Sequence, residues 1–172
     1  MTHVELTHER LLELLDYDPE TGIFLWKIDR TRGIKAGDNA GSISTHKKTG
    51  YKSHSICLDS ITYKAARLAV FYMTEEMPQK GMQVDHINHQ TLDHRFVNIR
   101  LATVAQNAYN KHKTKVGVLP KGLVLTKQGR YRTQIWQDGK SKYLGTFVTM
   151  EEALSVREAA AKELHGEFYC PA

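Results

Sequence analysis

Apolar residues recur along the chain with two different spacings, which predicts a mixture of helices and strands. Leucines follow Thr7 at helical spacing, and Thr7 is a good N-cap, so a first helix is predicted there. The apolar face of this helix is predicted to contain Leu11, Leu12, Leu14 and Leu15. Residues 18–22 (Asp-Pro-Glu-Thr-Gly) have the proline and glycine of a tight turn, and residues 23–26 after them are predicted as a strand.

The middle of the chain alternates short apolar runs with turn residues. Residues 51–58 and 61–63 predict a hairpin around Asp59-Ser60, and residues 65–73 predict a helix. The glycine-rich segment 30–50 is predicted as loop with short strands. An apolar run ending at Val84 and a second run at residues 98–102 predict two further strands, and Thr103 with Gln106 forms a capping box that opens a helix.

A different pattern begins at Val118. Residues 122–126, 130–136 and 140–144 predict three short strands, separated by Gln128-Gly129 and Asp138-Gly139 as hairpin turns. A last helix is predicted after Thr149, with Glu152 completing a capping box and Gly166 ending it. Its buried face is predicted to contain Ala153, Val156, Ala160 and Leu164. The predicted fold class is α+β, with a boundary near residues 112–118.

Positive charge is concentrated in the C-terminal part of the chain. The net charge is only +5, but eight lysines and arginines and a single acid, Asp138, lie between His112 and Val148. Such a basic block favours a polyanionic partner, first nucleic acid and second an anionic membrane, while a solvated surface is the alternative. No apolar run approaches the ~20 residues needed to span a bilayer. The first residues also lack the pattern of a secretory signal, so a membrane partner is not expected.

The candidate chemistry lies at residues 84–89, Val-Asp-His-Ile-Asn-His. His86, Asn98 and Asn107 are spaced 12 and then 9 residues apart, and Asp85 directly precedes the histidine. Histidine can accept a proton near neutral pH because its ordinary pKa is about 6.5. A carboxylate and an amide oxygen are ligands that suit a hard cation. Together with the segment Leu92-Asp93-His94-Arg95, these residues resemble the HNH nuclease motif, a ββα finger that binds one divalent metal and cuts a phosphodiester.

This resemblance implies a role for each motif residue. His86 corresponds to the general base, and Asp85 and Asn107 correspond to the ligands of one Mg²⁺ or Mn²⁺ ion. Asn98 resembles the residue that ties the hairpin together and helps to orient the base. Arg95 corresponds to a salt-bridge partner or a phosphate contact, and these two alternatives stay open. The two cysteines, Cys57 and Cys170, form no CxxC pair, so no structural zinc is expected.

Two features of the motif concern its geometry, namely strand alternation at Asp85-His86 and the position of His89. Strand alternation sends adjacent side chains to opposite faces, so Asp85 and His86 can share a phosphate only if the strand ends or twists there. His89 stands where relatives commonly have glycine, and it is either a surface loop residue or a second phosphate contact.

The C-terminal part resembles the DNA-binding domain of the APETALA-two/ethylene-response-factor type, in which three antiparallel strands pack on one helix. The matching residues are 129–132 (Gly-Arg-Tyr-Arg), Ile135-Trp136 and 143–147 (Tyr-Leu-Gly-Thr-Phe). A period of two places Tyr131, Thr133 and Ile135 towards the helix and Arg132, Gln134 and Trp136 outward. Val124 and Thr126 stand where plant relatives often have arginines, so base reading is expected to be weaker than phosphate anchoring. The candidate DNA-binding residues are Lys113, Lys115, Arg130, Arg132, Gln134, Trp136, Lys140, Lys142 and Tyr143.

The sequence therefore predicts a metal-dependent DNA endonuclease of the HNH homing or mobile-element type, encoded by a phage and acting in the host cytosol. Residues 1–112 are predicted to form the nuclease domain, with its finger at 82–111, followed by a basic linker at 113–117 and a DNA-binding domain at 118–172. Its partner is double-stranded DNA, nicked by a monomer or cut on both strands by a homodimer. A non-catalytic DNA-binding protein that retains the HNH fold and a single-strand or RNA-binding protein are the alternatives.

Overall fold

The structure, a computed structural model, describes residues 5–110, 119–137 and 139–169. These residues form helices and strands in two compact units, Met1–Ala102 and Thr103–Ala172, which agrees with the predicted α+β class. The predicted linker at residues 113–117 lies outside the described residues. Among the described helices, none has both the length and the apolar character needed to cross a membrane.

The first unit contains two helices and seven strands. In chain order they are α1 (His8–Leu14), β1 (Leu15–Asp18), β2 (Ile23–Trp26), β3 (Ser42–Thr45), β4 (Lys52–Leu58), β5 (Ile61–Lys64), α2 (Ala65–Thr74), β6 (Gln83–His86) and β7 (Ile99–Ala102). Short 3-10 turns lie at Thr31–Gly33 and Phe96–Asn98. The strands form the antiparallel pair β1–β2, the three-stranded sheet β3–β4–β5 and the antiparallel pair β6–β7.

Helix α1 begins as predicted but ends earlier than the leucine pattern suggested. The Thr7 side chain accepts a hydrogen bond from the Arg10 backbone N–H, which confirms the N-cap. Leu15 is already the first residue of β1, and Leu12 is only partly buried. The leucine run is shared between α1 and β1. Leu14 at the end of the helix and Leu15 at the start of the strand are both fully buried.

The core of the first unit lies between α1, α2, the β1–β2 hairpin and the inner side of β4. Its fully buried members include Leu11, Phe24, Ile56 and Leu68. The predicted hairpin at Asp59-Ser60 is confirmed, because β4 pairs with β5 in the register Leu58↔Ile61. Asp59 and Ser60 both have positive φ, at 44° and 69°, as a two-residue hairpin turn of type I′ requires.

The β6–β7 pair positions the candidate motif. Asp85 lies opposite Arg100, and His86 is the last residue of β6, opposite Ile99. Arg67 of α2 donates hydrogen bonds to the carbonyls of Met82 and Pro78, so α2 holds the segment that leads into β6. Both predicted strands are therefore present, although β6 extends to His86, two residues beyond the apolar run, and β7 begins one residue later than predicted.

The described residues of the second unit form two helices and a three-stranded antiparallel sheet. Its elements are α3 (Val104–Tyr109), β8 (Leu123–Leu125), β9 (Tyr131–Gln137), β10 (Lys140–Phe147) and α4 (Met150–His165). The sheet has the order β10–β9–β8, and α4 packs on β9 and β10. Both predicted capping boxes are present, Thr103 with Gln106 on α3 and Thr149 with Glu152 on α4. Because α3 belongs to this unit and β6–β7 to the first, the complete ββα finger remains a prediction.

Two predictions for the second unit need correction. The last strand continues to Phe147, three residues beyond the predicted end, through a bulge between Tyr143 and Gly145. The buried face of α4 consists of Ala153, Arg157, Ala161 and His165, whereas Val156 is exposed. Hydrophobicity alone placed this face wrongly because an arginine and a histidine occupy two of its four positions. Asp138 of the predicted Asp138-Gly139 turn lies outside the described residues.

Candidate active site

Asp85 is a buried carboxylate held by the strand opposite. Its side chain is 5% exposed, and its Oδ2 accepts hydrogen bonds from Nε and Nη2 of Arg100 at 3.0 and 2.9 Å. The Arg100 side chain is itself 12% exposed, so both charges of this pair are largely removed from water. Burial of a carboxylate requires such a partner, because an uncompensated charge in a protein interior is costly.

His86 ends β6 and is half-buried. Its Nε2 lies 3.2 Å from Nδ1 of His94, and the two ring centroids are 5.3 Å apart. Burial lowers the pKa of His86, and the negative charges of Asp85 and Asp93 oppose this shift. The imidazole is therefore neutral at neutral pH, which is the form that can accept a proton.

Asp85 and His86 are adjacent strand residues, so their side chains are expected to point to opposite faces. Asp85 contacts Arg100 on β7, whereas the adjacent His86 contacts His94 in the loop between the strands. The two side chains thus have different neighbours, as alternation requires. His86 is also the final residue of β6, so the strand ends directly after the two side chains.

Asn98 ties the loop between β6 and β7 together. Its Oδ1 accepts a hydrogen bond from the Asn88 backbone N–H at 3.0 Å, and its Nδ2 donates to Asn88 Oδ1 and to the Asp93 carbonyl. The side chain is 7% exposed, so these bonds satisfy a buried amide. The backbone carbonyl of Asn98 also accepts from the N–H of Ile87, directly after His86.

Arg95 forms an ion pair within the same loop. Its Nε and Nη2 donate to the two carboxylate oxygens of Asp93 at 2.8 and 2.7 Å. This partner lowers the pKa of Asp93 strongly, and it raises that of Arg95. Of the two alternatives for Arg95, the structure shows the salt bridge, with a side chain that remains 47% exposed.

His89 lies at a backbone position that favours glycine. Its φ is +62°, and its backbone N–H donates to the carbonyl of His86 at 3.0 Å. A side chain is strained in this conformation, which glycine adopts readily. The His89 side chain is exposed.

Asn107 lies on α3 in the second unit. The Thr103–Gln106 capping box starts this helix, and the Asn107 N–H donates to the Thr103 carbonyl in its first turn. The sequence analysis predicted this helix register. The role of Asn107 as a metal ligand remains a proposal.

Four of the nine predicted nucleic-acid contacts lie on the outward face of the C-terminal sheet. Thr133 and Ile135 of β9 are buried against α4, while Arg132 and Trp136 are exposed and Gln134 is partly exposed. Directly opposite residues of an antiparallel pair share one face. Tyr143 lies opposite Gln134 and is therefore outward, whereas Lys142 lies opposite the buried Ile135. The strand register thus selects Tyr143 over Lys142 for this face.

The remaining predicted contacts are less closely grouped. Arg130 lies in the turn before β9, and Lys140 starts β10; both side chains are exposed. Lys113 and Lys115 lie outside the described residues. Lys121, which was not among the predicted contacts, donates its Nζ to the carbonyls of Ala108 and Tyr109 at the end of α3.

Sequence reasoning missed two histidines beside His86. His94, at the variable position of the Leu-Asp-x-Arg segment, is 3% exposed and lies between His86 and His54. The signal available for His94 was a titratable residue within the Leu-Asp-x-Arg segment of the motif. His54 gave no signal, because it reaches the site from β4, 40 residues earlier in the chain.

Comparisons with known proteins agree with the motif. Residues 63–109 match a family model described as HNH endonuclease, a segment that contains β6, β7 and α3. The chain is also 33% identical over 88 residues to an uncharacterized HNH endonuclease of Acanthamoeba polyphaga mimivirus. That alignment covers 51% of this chain and 46% of the viral protein. No solved structure matches. Part of this chain is thus similar to HNH endonucleases, and both matches support a nuclease.

A divalent metal ion needs a suitable set of donor atoms. The described residues contain no group of three or more His, Cys, Asp or Glu side chains arranged to hold a metal ion. A site built from one carboxylate and one amide, completed by water and phosphate, does not need such a group, and its oxygen donors suit Mg²⁺ or Mn²⁺. The chemistry of Asp85 and Asn107 therefore fits the implied ion, although Arg100 shares Oδ2 of Asp85.

Proposed function

We propose that the protein is a metal-dependent endonuclease that hydrolyses DNA phosphodiester bonds, with His86 as the general base. The observation that carries this proposal is the half-buried His86 at the end of β6. It adjoins the buried Asp85, within the segment that matches HNH endonucleases. One such site cuts one strand, so a monomer nicks and a homodimer is needed for a double-strand break.

The chain's own residues supply the proton transfer and the positioning. His86, neutral because burial lowers its pKa, removes a proton from the attacking water. Asn98 and the Asp93–Arg95 pair fix the loop that follows His86, which keeps the base in one place. The exposed guanidinium of Arg95 is available to a phosphate at the cost of its bond to Asp93.

Asp85 and Asn107 would hold one Mg²⁺ or Mn²⁺ ion. When bound, the ion neutralises charge on the phosphate and stabilises the leaving oxygen. Arg100, which donates a hydrogen bond to Oδ2 of Asp85, orients the carboxylate. The base and one of the two proposed metal ligands, Asp85, are thus adjacent residues at the end of β6.

The outward face of the C-terminal sheet is proposed to bind the duplex. Arg132 supplies charge, Gln134 a hydrogen-bonding amide, and Trp136 with Tyr143 an aromatic surface. With Val124 on β8 rather than an arginine, phosphate contacts are expected to dominate, so binding will depend strongly on salt. This binding mode suits a mobile-element or phage nuclease that needs only modest base reading.

Nicking of supercoiled plasmid tests the proposal. The wild type is incubated with the plasmid and Mg²⁺ or Mn²⁺ and compared with His86→Ala and with His46→Ala. His46 is an exposed histidine in the loop after β3, and it serves as the matched control. We expect His86→Ala to slow nicking by about 10²–10⁴-fold, the usual contribution of a general base, and His46→Ala to leave it unchanged. A wild type that binds duplex but cuts with neither ion would refute the enzyme and favour a non-catalytic DNA-binding protein.

Exposed aromatic residues give one specific reason to test single strands as well. Trp136 and Tyr143 are 55% and 61% exposed on one sheet face, and unpaired bases stack on such residues. Binding of duplex DNA, single-stranded DNA and RNA of equal length is therefore compared. Preference for duplex DNA supports the proposed substrate. Preference for single-stranded DNA or for RNA would mean that the preferred nucleic acid is the other one instead of duplex DNA.

A further inference from the structure

Three histidine rings from different parts of the first unit lie in a row. The His94 ring stacks on that of His54 with centroids 5.3 Å apart and an interplanar angle of 27°, and it is tilted by 51° against the ring of His86. The central ring is the most buried of the three, and the outer one, His86, is the proposed base. The row therefore connects the base to the interior of the unit.

The backbone of His94 is fixed by the β1–β2 hairpin. The Tyr17 hydroxyl donates to the His94 carbonyl at 2.6 Å, and the Phe96 N–H donates to the Pro19 carbonyl. Gly22 approaches so closely that a Cβ added there would lie 2.6 Å from the carbonyl carbon of His94. Contacts from three points of one hairpin thus determine where the His94 ring sits.

His54 closes the other side of the His94 ring. Its Nε2 lies 2.8 Å from the Ala40 carbonyl, and a carbonyl only accepts, so Nε2 of His54 is the donor. Gly41 leaves no room for movement, because a Cβ there would lie 2.9 Å from that nitrogen. His94 is consequently held between a fixed ring and the base.

The polar contacts of the His94 side chain point to one partner. Its Nδ1 bonds to His86 Nε2, and within the described residues its Nε2 has no hydrogen-bond partner. A buried nitrogen without a partner reduces stability, and such groups are rare in proteins. The hydrogen bond to His86 is therefore the interaction that favours a histidine at this position.

We propose that His94 is a positioning residue for the base, accepting a hydrogen bond at Nδ1 from the Nε2–H of His86 and thereby directing proton abstraction to Nδ1 of His86. The inference rests on the proposed function for the role of His86 as base. The hydrogen bond and the tautomer that it selects can be tested without any cleavage.

The direction of the bond follows from the protonated state of the base. Once His86 has taken a proton, both of its ring nitrogens carry hydrogen, and its Nε2–H needs an acceptor. Burial lowers the pKa of His94 to about 4, so His94 stays neutral, and its Nε2–H tautomer has the acceptor lone pair at Nδ1, 3.2 Å from His86 Nε2. A His94 that donated from Nδ1 would instead face the imidazolium N–H with its own N–H.

Two amide variants separate this bond from simple ring packing. In His94→Asn the amide lies near the place of Nδ1, whereas in His94→Gln it lies near the place of Nε2 and cannot reach His86 in the same way. The ¹⁵N chemical shifts of the His86 ring report which nitrogen carries the proton. We expect the Nε2–H tautomer in the wild type and in His94→Asn, and a mixture of tautomers in His94→Gln.

Cleavage kinetics give a second reading of the same variants. We expect kcat to fall about 10- to 100-fold in His94→Gln, as for other residues that orient a catalytic group, and less in His94→Asn. KM should stay unchanged in both, because neither substitution removes a group proposed to contact DNA. Unfolding midpoints of the two variants are measured alongside to show that they fold equally well.

The results distinguish the two proposals. A wild type with an Nδ1–H tautomer at His86, or a His94→Gln variant with an unchanged tautomer and kcat, would overturn the role of His94. A wild type that shows the Nε2–H tautomer but does not nick would support the hydrogen bond between His86 and His94 and refute the proposed nuclease activity. The wild-type measurement alone is decisive if His94→Gln does not fold.

Discussion

The hydroxyl of Tyr17 donates a hydrogen bond of 2.6 Å to the backbone carbonyl of His94, across 77 positions of sequence. It joins the N-terminal β1–β2 hairpin to the loop that carries the candidate site. Burial raises the pKa of this tyrosine to about 12, so its hydroxyl stays protonated and remains a donor at neutral pH. The N-terminal segment is thus part of the support of the site.

Gly22→Ala should disrupt this support. Gly22 has a φ of +75°, and an added Cβ would lie 2.5 Å from the Arg95 backbone nitrogen, so backbone has to move. We expect a larger loss of unfolding free energy than the roughly 1–2 kcal/mol that left-handed backbone alone costs a residue with a Cβ. Urea unfolding followed by circular dichroism measures the difference.

Gly50→Ala is the matched control for that substitution. Gly50 lies in the same unit with a φ of +69°, and nothing lies within 4 Å of an added Cβ. It should therefore show the conformational cost without the clash. Equal losses in the two variants would mean that the hairpin does not press on the loop at His94.

His94 should make the protein sensitive to acid. Burial and the neighbouring His86 and His54 lower its folded pKa to about 4, below the ordinary value of 6.5. The unfolded chain therefore takes up a proton first as pH falls, so the stability present above 6.5 declines between 6.5 and about 4. Urea unfolding across this range should show a smaller decline in His94→Asn, which has no imidazole there.

Comparison of the two proteins at each pH removes the effects common to both, such as titration of the carboxylates. The free energy of unfolding of the wild type should decrease relative to that of His94→Asn as pH decreases. A difference that is constant with pH would show that His94 titrates in the same way in the folded and the unfolded chain.

Local signals in the sequence were sufficient to predict much of the fold. The Asp59-Ser60 turn, the Thr103–Gln106 capping box and the alternation along β9 each depend on a few adjacent residues, and each is present in the structure. Strand β1 was missed because its Leu15 continues the leucine run of α1. The α4 face was misplaced because Arg157 and His165 are buried, which a hydrophobicity pattern cannot predict.

The candidate site shows the same division between local and long-range information. Asp85, His86 and Asn98 follow from a motif within 14 residues of sequence, and their spacing made them visible. The contact of His94 with His86 depends on how Tyr17, Gly22 and His54 pack around the loop, and no spacing encodes that. Arg100 could not be assigned as the partner of Asp85 before the β6–β7 register was known.

Arg100→Met should destabilise the first unit strongly. It removes the guanidinium from a carboxylate that is 5% exposed, and breaking a buried ion pair from one side typically costs about 3–5 kcal/mol. Adding Asp85→Asn to this variant should restore part of the loss, because the buried charge is then gone. Urea unfolding of both variants and the wild type measures the two steps.

Arg10→Met provides the comparison for an exposed pair. Arg10 bonds Asp59 in a similar geometry, but the two side chains are 43% and 50% exposed, and such pairs contribute about 0.2–1 kcal/mol. If Arg100→Met were no more destabilising than Arg10→Met, Asp85 would be stabilised by groups other than Arg100.

Arg132→Met should weaken duplex binding more than Lys142→Met. Both side chains are exposed cations of the same sheet, but Arg132 lies on the outward face and Lys142 lies opposite the buried Ile135. If the outward face contacts phosphates, losing Arg132 removes one contact and reduces the slope of log affinity against log salt by about 1. Titrations of a fluorescent duplex at several salt concentrations measure that slope for each variant. Since the two substitutions remove equal charge, equal slopes would show that binding follows net charge rather than this face, and a larger effect of Lys142→Met would move the contact to the opposite side of β10.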